Sequence, residues 1–149
     1  MTDIIDSYRD YARSPYVNEF LRSDTKLSEK SKKIVDSLRL AISNKKVSGR
    51  FVRGLSPTRA NKLETIEDVS TFVFNNKGFT SAVPEKNSDY ANCFALGRNG
   101  VKVIFDVDNM PGYKASEYEV LFDLNAFTKD KFDIVQVGEK MFKVSPKNN

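Results

Sequence analysis

Glu117 and Glu119 stand two positions apart in Ser116-Glu117-Tyr118-Glu119-Val120-Leu121-Phe122, a run that reads as the beginning of a β-strand. Side chains alternate between faces along a strand, so the spacing predicts Glu117 and Glu119 on one face, with Tyr118, Val120 and Phe122 directed towards a core. Two anionic groups along one edge suit a cation. That cation is either a guanidinium or the positive charge that develops at a sugar's anomeric carbon as a leaving group departs. A solvated strand edge gives the same pattern, because glutamates are at home on surface strands.

Two other stretches carry residue types suited to a site, one to a phosphate and one to a carboxylate. In Phe51-Val52-Arg53-Gly54-Leu55 the arginine offers a forked donor for phosphate, and the glycine after it lets backbone approach a ligand closely. An edge-strand arginine ahead of a turn is the plainer reading. In Lys77-Gly78-Phe79-Thr80-Ser81 a hydroxyl just past a glycine can orient a carboxylate, although the same residues suit any loop.

The chain of 149 residues contains no histidine and one cysteine, Cys93. Without imidazole there is no Ser-His-Asp or Cys-His nucleophile pair, no His-x-Glu deaminase site and no histidine zinc ligand, and a lone cysteine completes no metal site. Chemistry then rests on carboxylates, hydroxyls, arginine and lysine, with no metal expected. Cys93 also forbids an internal disulfide, which fits a reducing compartment. The net charge of +4 comes from basic residues interspersed with acidic ones, and the densest basic cluster, Ser28 to Lys33, reads as a solvated helix start. Neither nucleic acid nor membrane is predicted as a partner. No apolar run nears the roughly 18 residues of a membrane span, and the first residues lack a secretory pattern, so a cytoplasmic site of action is expected.

The elements that must hold these residues read as helices first and strands after, the order of an α+β domain. Ile4, Ile5, Tyr8 and Tyr11 form one helical stripe, and Val17, Phe20 and Leu21 a second. A third helix is predicted from about Ser28 to Ser43, with Ile34, Leu38 and Ile42 on one face and Leu40 and Ala41 beside them. Strands are predicted at Arg50 to Leu55, Ser70 to Phe74, Val101 to Asp106 and Tyr118 to Asp123, and Phe132 to Gln136 pairs with Lys140 to Val144 in a closing hairpin through Gly138-Glu139. A short helix is placed at Asp89 to Leu96, and Val107 to Ser116 reads as a loop. One domain spans 1–149, with 1–48 helical and 49–149 β-rich.

In this order, Val-Arg-Gly-Leu, then Gly-Phe-Thr-Ser, then Glu-Tyr-Glu-Val-Leu-Phe, the chain resembles the arginine-serine-glutamate class of mono-ADP-ribosyltransferases of bacterial toxins, phages and vertebrate ectoenzymes. The stretch Tyr8 to Arg22 resembles the N-terminal helical segment of the toxin catalytic domains, and Ile34 to Leu38 leading to Arg53-Gly54 resembles their passage into the first strand. The resemblance implies two packed, mainly antiparallel sheets flanking an NAD cleft, with NAD as co-substrate. It implies that Arg53 contacts the NAD phosphates, that the Gly54 backbone holds the nicotinamide carboxamide, and that Ser81 orients Glu119, the catalytic carboxylate. The family usually writes Ser-Thr-Ser where this chain has Ser81-Ala82-Val83. Phe94 resembles the aromatic packed beside nicotinamide and Arg98 a second phosphate contact, with core packing and a solvated turn as their plainer readings. Tyr113 matches the position that meets the protein target, or is an ordinary loop tyrosine.

By the same resemblance Glu117 binds and orients the acceptor, and a glutamate there instead of glutamine favours arginine on a target protein. The absence of histidine agrees, since the other large branch of the superfamily uses a His-Tyr-Glu set. The expected activity is transfer of ADP-ribose from NAD to arginine, with release of nicotinamide. An NAD glycohydrolase, and an inert NAD-binding module of the same fold suggested by the reduced serine motif, are the alternatives. Such an enzyme could be injected with a phage genome, delivered by a secretion apparatus or separated from a larger toxin.

Overall fold

The computed structural model describes residues 8, 10, 11, 21, 26–58, 62–93 and 100–147. Among them Tyr8, Asp10, Tyr11 and Leu21 have helical backbone, in keeping with helices ahead of the strands.

Helix α1, Glu29–Ser43, forms where its apolar spacing places it. The Ser28 hydroxyl accepts the Ser31 N–H at 3.1 Å, satisfying a donor that the first turn cannot, and Glu29 complements the positive end of the helix. Ile34, Val35, Leu38 and Ile42 are buried against Phe79 and Leu121 of the sheet, whereas Leu40 faces solvent instead of joining that stripe. Arg39 donates from Nε to Asp123 at 3.0 Å, tying the outer face of α1 to the sheet.

Seven strands follow: β1 Lys46–Leu55, β2 Thr80–Pro84, β3 Val101–Pro111, β4 Tyr113–Ser116, β5 Glu119–Phe122, β6 Phe132–Gly138 and β7 Met141–Pro146. They hydrogen-bond in the order β4-β5-β2-β1-β3-β7-β6, antiparallel throughout except for the parallel β3/β7 pair. The expected two sheets are therefore one continuous order, and β2 is its joint. Thr80, Ser81 and Ala82 pair with β5, while Val83 and Pro84 pair with Val52 and Phe51 of β1. On a flat sheet this register would separate Phe51 and Phe122 by about 16 Å. Their rings meet edge-on at 5.5 Å. The two halves therefore fold towards each other about β2.

Three expected elements differ, and one strand has no counterpart among them. Ser70 to Phe74, rich in strand formers, is the end of helix α2, Ile66–Phe74. A capping box decides it: the Thr65 hydroxyl accepts the Asp68 N–H at 3.1 Å, and the Asp68 carboxylate accepts the N–H groups of Glu64 and Thr65. Those two backbone donors hold the Asp68 carboxyl below its ordinary range. Val69 and Val73, four apart, are then buried on one face. Thr80 to Pro84, where no element is predicted, is a strand, because Ala82 and Val83 fill core positions. The expected loop Val107 to Ser116 is instead the end of β3 and all of β4. Val107 continues the buried alternation of Val101, Val103 and Phe105, and β1 extends back to Lys46 to pair with it, through a bulge at Gly49 with φ +123°. Gly112 makes the turn into β4 with room for no side chain, since a Cβ there would lie 2.9 Å from Val47. The short helix is 3₁₀, covers Glu85–Cys93 and starts earlier than expected; its expected end at Leu96 lies outside the described residues.

The main core lies between α2 and the bent sheet, with Phe127 at its centre. Its ring stands 4.3 Å from Phe105, 5.1 Å from Phe122 and 5.1 Å from Phe132, joining β3, β5 and β6. Truncating Phe127 to alanine removes that junction and should cost about 3–5 kcal/mol in a urea unfolding titration; a loss below 1 kcal/mol would show that the neighbouring rings close the gap.

Candidate active site

Glu119 opens β5, and strand pairing fixes its direction. Ser81 lies opposite Leu121, so Glu119, two residues before Leu121, is the diagonal neighbour of Ser81 on the same face. The Ser81 hydroxyl donates to Glu119 Oε2 at 2.5 Å. On that face Leu121 and Phe79 run under α1, whereas Ala82, Val120 and Phe122 point into the main core. The face thus passes from apolar packing to a polar pair within two residues.

Arg53 and Gly54 reach the same place from β1. The ladder between β1 and β2 involves only Phe51 and Val52, so β2 does not cover β1 alongside the next two residues. A cleft of about 440 Å³ opens there, and Arg53, Gly54, Ser81 and Glu119 all border it. Tyr8, Ser116 and Tyr118 also border it, with Val52, Ala82 and Val83. Three segments far apart in sequence converge on one cavity because β5, β2 and β1 are adjacent in the sheet order.

The second carboxylate is placed differently from its sequence expectation. Glu117 and Tyr118 form the turn between β4 and β5, so Glu117 does not share a strand face with Glu119. The Ser116 hydroxyl accepts the Tyr118 N–H at 3.1 Å and closes this turn, which delays the strand to Glu119. Asn87 Nδ2, on the 3₁₀ helix, donates to the Glu117 carbonyl at 2.8 Å. The Glu117 side chain is exposed and does not line the cleft. Tyr118, expected in the core, is 48% exposed at the cleft rim. Tyr113, expected on a loop either as a target contact or as an ordinary loop residue, lies in β4 with its ring 6.0 Å from Tyr8, partly buried in the cluster beneath α1. Phe94 and Arg98 lie outside the described residues.

The departures from Ser-Thr-Ser have a packing cause. Ala82 faces the core at 2% exposure, and Val83 packs on Val52 and Ile104. Sequence reasoning missed Asn87, Ser116 and the rim position of Tyr118; a hydroxyl two residues before a tyrosine N–H was the one available sign, for it favours a turn.

Burial raises the Glu119 carboxyl above its ordinary 4.5. The Ser81 donor favours the ionised form, so the site holds a carboxylate that is charged but incompletely solvated. Such a group is suited to stabilising a positive charge that appears beside it. Arg53 supplies a cation on the opposite strand, suited to a phosphate. Among the described residues no group of histidine, cysteine and carboxylate side chains could hold a metal ion.

No protein-family model and no curated protein sequence matches this chain. Solved structures do. The Clostridium limosum C3 exoenzyme superposes with a TM-score of 0.65 at 14% identity, covering 99% of this chain and 86% of that one. The Vis toxin, an ADP-ribosyltransferase from Vibrio splendidus, gives 0.60 at 20% identity over 99% and 74%. Exoenzyme S from Pseudomonas aeruginosa, in a complex with human 14-3-3 protein beta bound to carba-NAD, gives 0.59 at 15% identity over 96% and 72%. The chain has the fold of the ADP-ribosyltransferase toxins. Within that ADP-ribosyltransferase fold, the bent joint at β2 and the cleft beside it are formed here by the chain's own core residues.

The raised carboxyl has a thermodynamic sign. A group whose protonated form is favoured on folding contributes stability that is present below its unfolded value and lost as pH rises through the folded value. Replacing Glu119 by glutamine should therefore raise Tm at pH 7, and the gain should shrink towards zero as pH falls below 4.5. Thermal melts across pH 3.5 to 8 check this, and equal Tm values at every pH would show that Glu119 is fully solvated.

Proposed function

We propose that the cleft binds NAD and that the protein transfers ADP-ribose to an arginine side chain of a target protein, releasing nicotinamide. The observation that carries this reading is the hydrogen bond from Ser81 to a part-buried Glu119 on the wall of a cavity also bordered by Arg53 and Gly54. The toxin fold, and the carba-NAD complex that includes exoenzyme S, support NAD as the ligand.

The donor set fits the molecule. Arg53 would hold the pyrophosphate as a bidentate cation, and backbone at Gly54 would receive the nicotinamide carboxamide. Cleavage of the bond between nicotinamide and ribose leaves an oxocarbenium-like carbon, as in glycoside hydrolysis. Glu119 would stabilise that charge, which appears only in the transition state, so the interaction lowers the barrier instead of merely tightening binding. Ser81 keeps its carboxylate in one orientation. Glu117 would act on the acceptor. An arginine is protonated at neutral pH, with a pKa above about 12, and must be bound and relieved of a proton before its nitrogen attacks. The exposed turn beside the cleft is where an incoming protein side chain could be met. A second reading, NAD hydrolysis with water as acceptor, draws on the exclusion of Glu117 from the cleft lining.

Radiolabelled NAD with a small guanidine acceptor separates these. Glu119→Gln should lower both transfer and hydrolysis by at least about 100-fold. Glu117→Gln should abolish transfer yet retain much of the hydrolysis; undiminished transfer would remove Glu117 from the mechanism, and a parent that only hydrolyses would establish the second reading.

The same carboxylate sets a pH dependence. Glu119 must be ionised to act, so NAD cleavage should fall on the acid side through a midpoint above 4.5. A kcat/KM profile with its acid limb at or below that value would mean that another group controls it.

A further inference from the structure

Glu119 and Glu117 are held by unrelated means. Glu119 belongs to a paired strand, with Val120 and Leu121 locked to Ala82 and Ser81, and its carboxylate is fixed from within the sheet. Glu117 sits in a two-residue turn whose main chain is secured at two points: by the Ser116 hydroxyl on the Tyr118 N–H, and by Asn87 Nδ2 on the Glu117 carbonyl. The second tie crosses thirty positions of sequence and comes from the 3₁₀ helix. Asn87 is also where the 3₁₀ helix breaks, with φ −115° and ψ 24° between two helical pieces, so the side chain leaves at the kink. A short amide there reaches the Glu117 carbonyl.

We propose that Asn87 is a positioning residue for the acceptor half of the reaction: by holding the Glu117 carbonyl it fixes the turn bearing Glu117 and Tyr118, and so governs transfer relative to hydrolysis. This rests on the functional reading given above. Loss of the bond frees the turn but leaves the pairing of Ser81 with Glu119 untouched, so the two activities should part. One neutral hydrogen bond at a partly exposed site sets the scale at up to about tenfold.

The test uses Asn87→Ala and Asn87→Asp in the full chain. Aspartate keeps the shape but cannot donate to a carbonyl, so both variants should show transfer to a small guanidine reduced by up to about tenfold, with a raised KM for that acceptor and NAD hydrolysis within about twofold of the parent. Amide exchange at Tyr118 reads the turn without turnover, and should accelerate in both. The inference is overturned if both variants keep the parental ratio of transfer to hydrolysis. It is also overturned if Asn87→Asp behaves as the parent, because shape and not donation would then be what matters. A parent that neither cleaves NAD nor modifies guanidine would defeat the functional reading alone; exchange at Tyr118 would then decide whether Asn87 positions the turn, unchanged exchange in both variants overturning that as well.

Discussion

Ser81 and Glu119 can meet beside Arg53 only because the five residues of β2 divide their backbone hydrogen bonds between β5 and β1. The division bends the sheet, and the bend is held by apolar contact: Phe51 from one half reaches Phe122 from the other, and Phe127 extends that contact to β3 and β6. Beyond the short ladder at Phe51 and Val52 the two halves diverge, and the space between them is the cleft. Core packing on one face of β2 thus determines the position of the polar groups on the other. The site is a consequence of the way the hydrophobic core closes, not an addition to a finished scaffold.

The same strand explains how a reduced serine motif is compatible with an intact carboxylate site. Successive residues of β2 face opposite ways, so the middle position is a core position, filled here by Ala82. Val83 returns to the face of Ser81 but meets Val52 and Ile104, where an apolar side chain adds burial. Only the first position stands diagonal to Glu119, and only there is a hydroxyl retained. Packing has taken two of the three positions and left the one that touches the carboxylate.

Local patterns were sufficient for α1, where Ile34, Leu38 and Ile42 fall on one face behind a serine cap, and for the β6/β7 hairpin with its turn after Gly138. They misled at Ser70 to Phe74, whose residues are strand formers, because a capping box at Thr65 and Asp68 commits the segment to helix before composition can act. Alternation also cannot say where a strand begins. Glu117 and Glu119 have the spacing of one face, but the Ser116 hydroxyl turns the chain, and the first glutamate falls outside the ladder. Tyr113 was misplaced for a related reason: its surroundings are set by Tyr8 and α1, which no window around residue 113 contains. Arg53, Ser81 and Glu119 were legible as residue types in a familiar order, yet their convergence depends on strand order, which periodicity does not encode.

The two glutamates consequently answer to different parts of the molecule. Glu119 is tied to the sheet, so its geometry is as constant as the core, and its incomplete solvation is maintained by the same burial that raises its carboxyl. Glu117 depends on a turn closed by the Ser116 hydroxyl and on one side-chain amide from the kinked 3₁₀ helix, each contributing a single hydrogen bond. Changes to that turn perturb few buried contacts, whereas changes around Glu119 reach Leu121 and Phe122 at once. Under the proposed mechanism, bond cleavage in NAD is therefore assigned to the rigid element and choice of acceptor to the adjustable one. A fold arranged in this way can alter which side chain it modifies without rebuilding the carboxylate site on which the first chemical step depends.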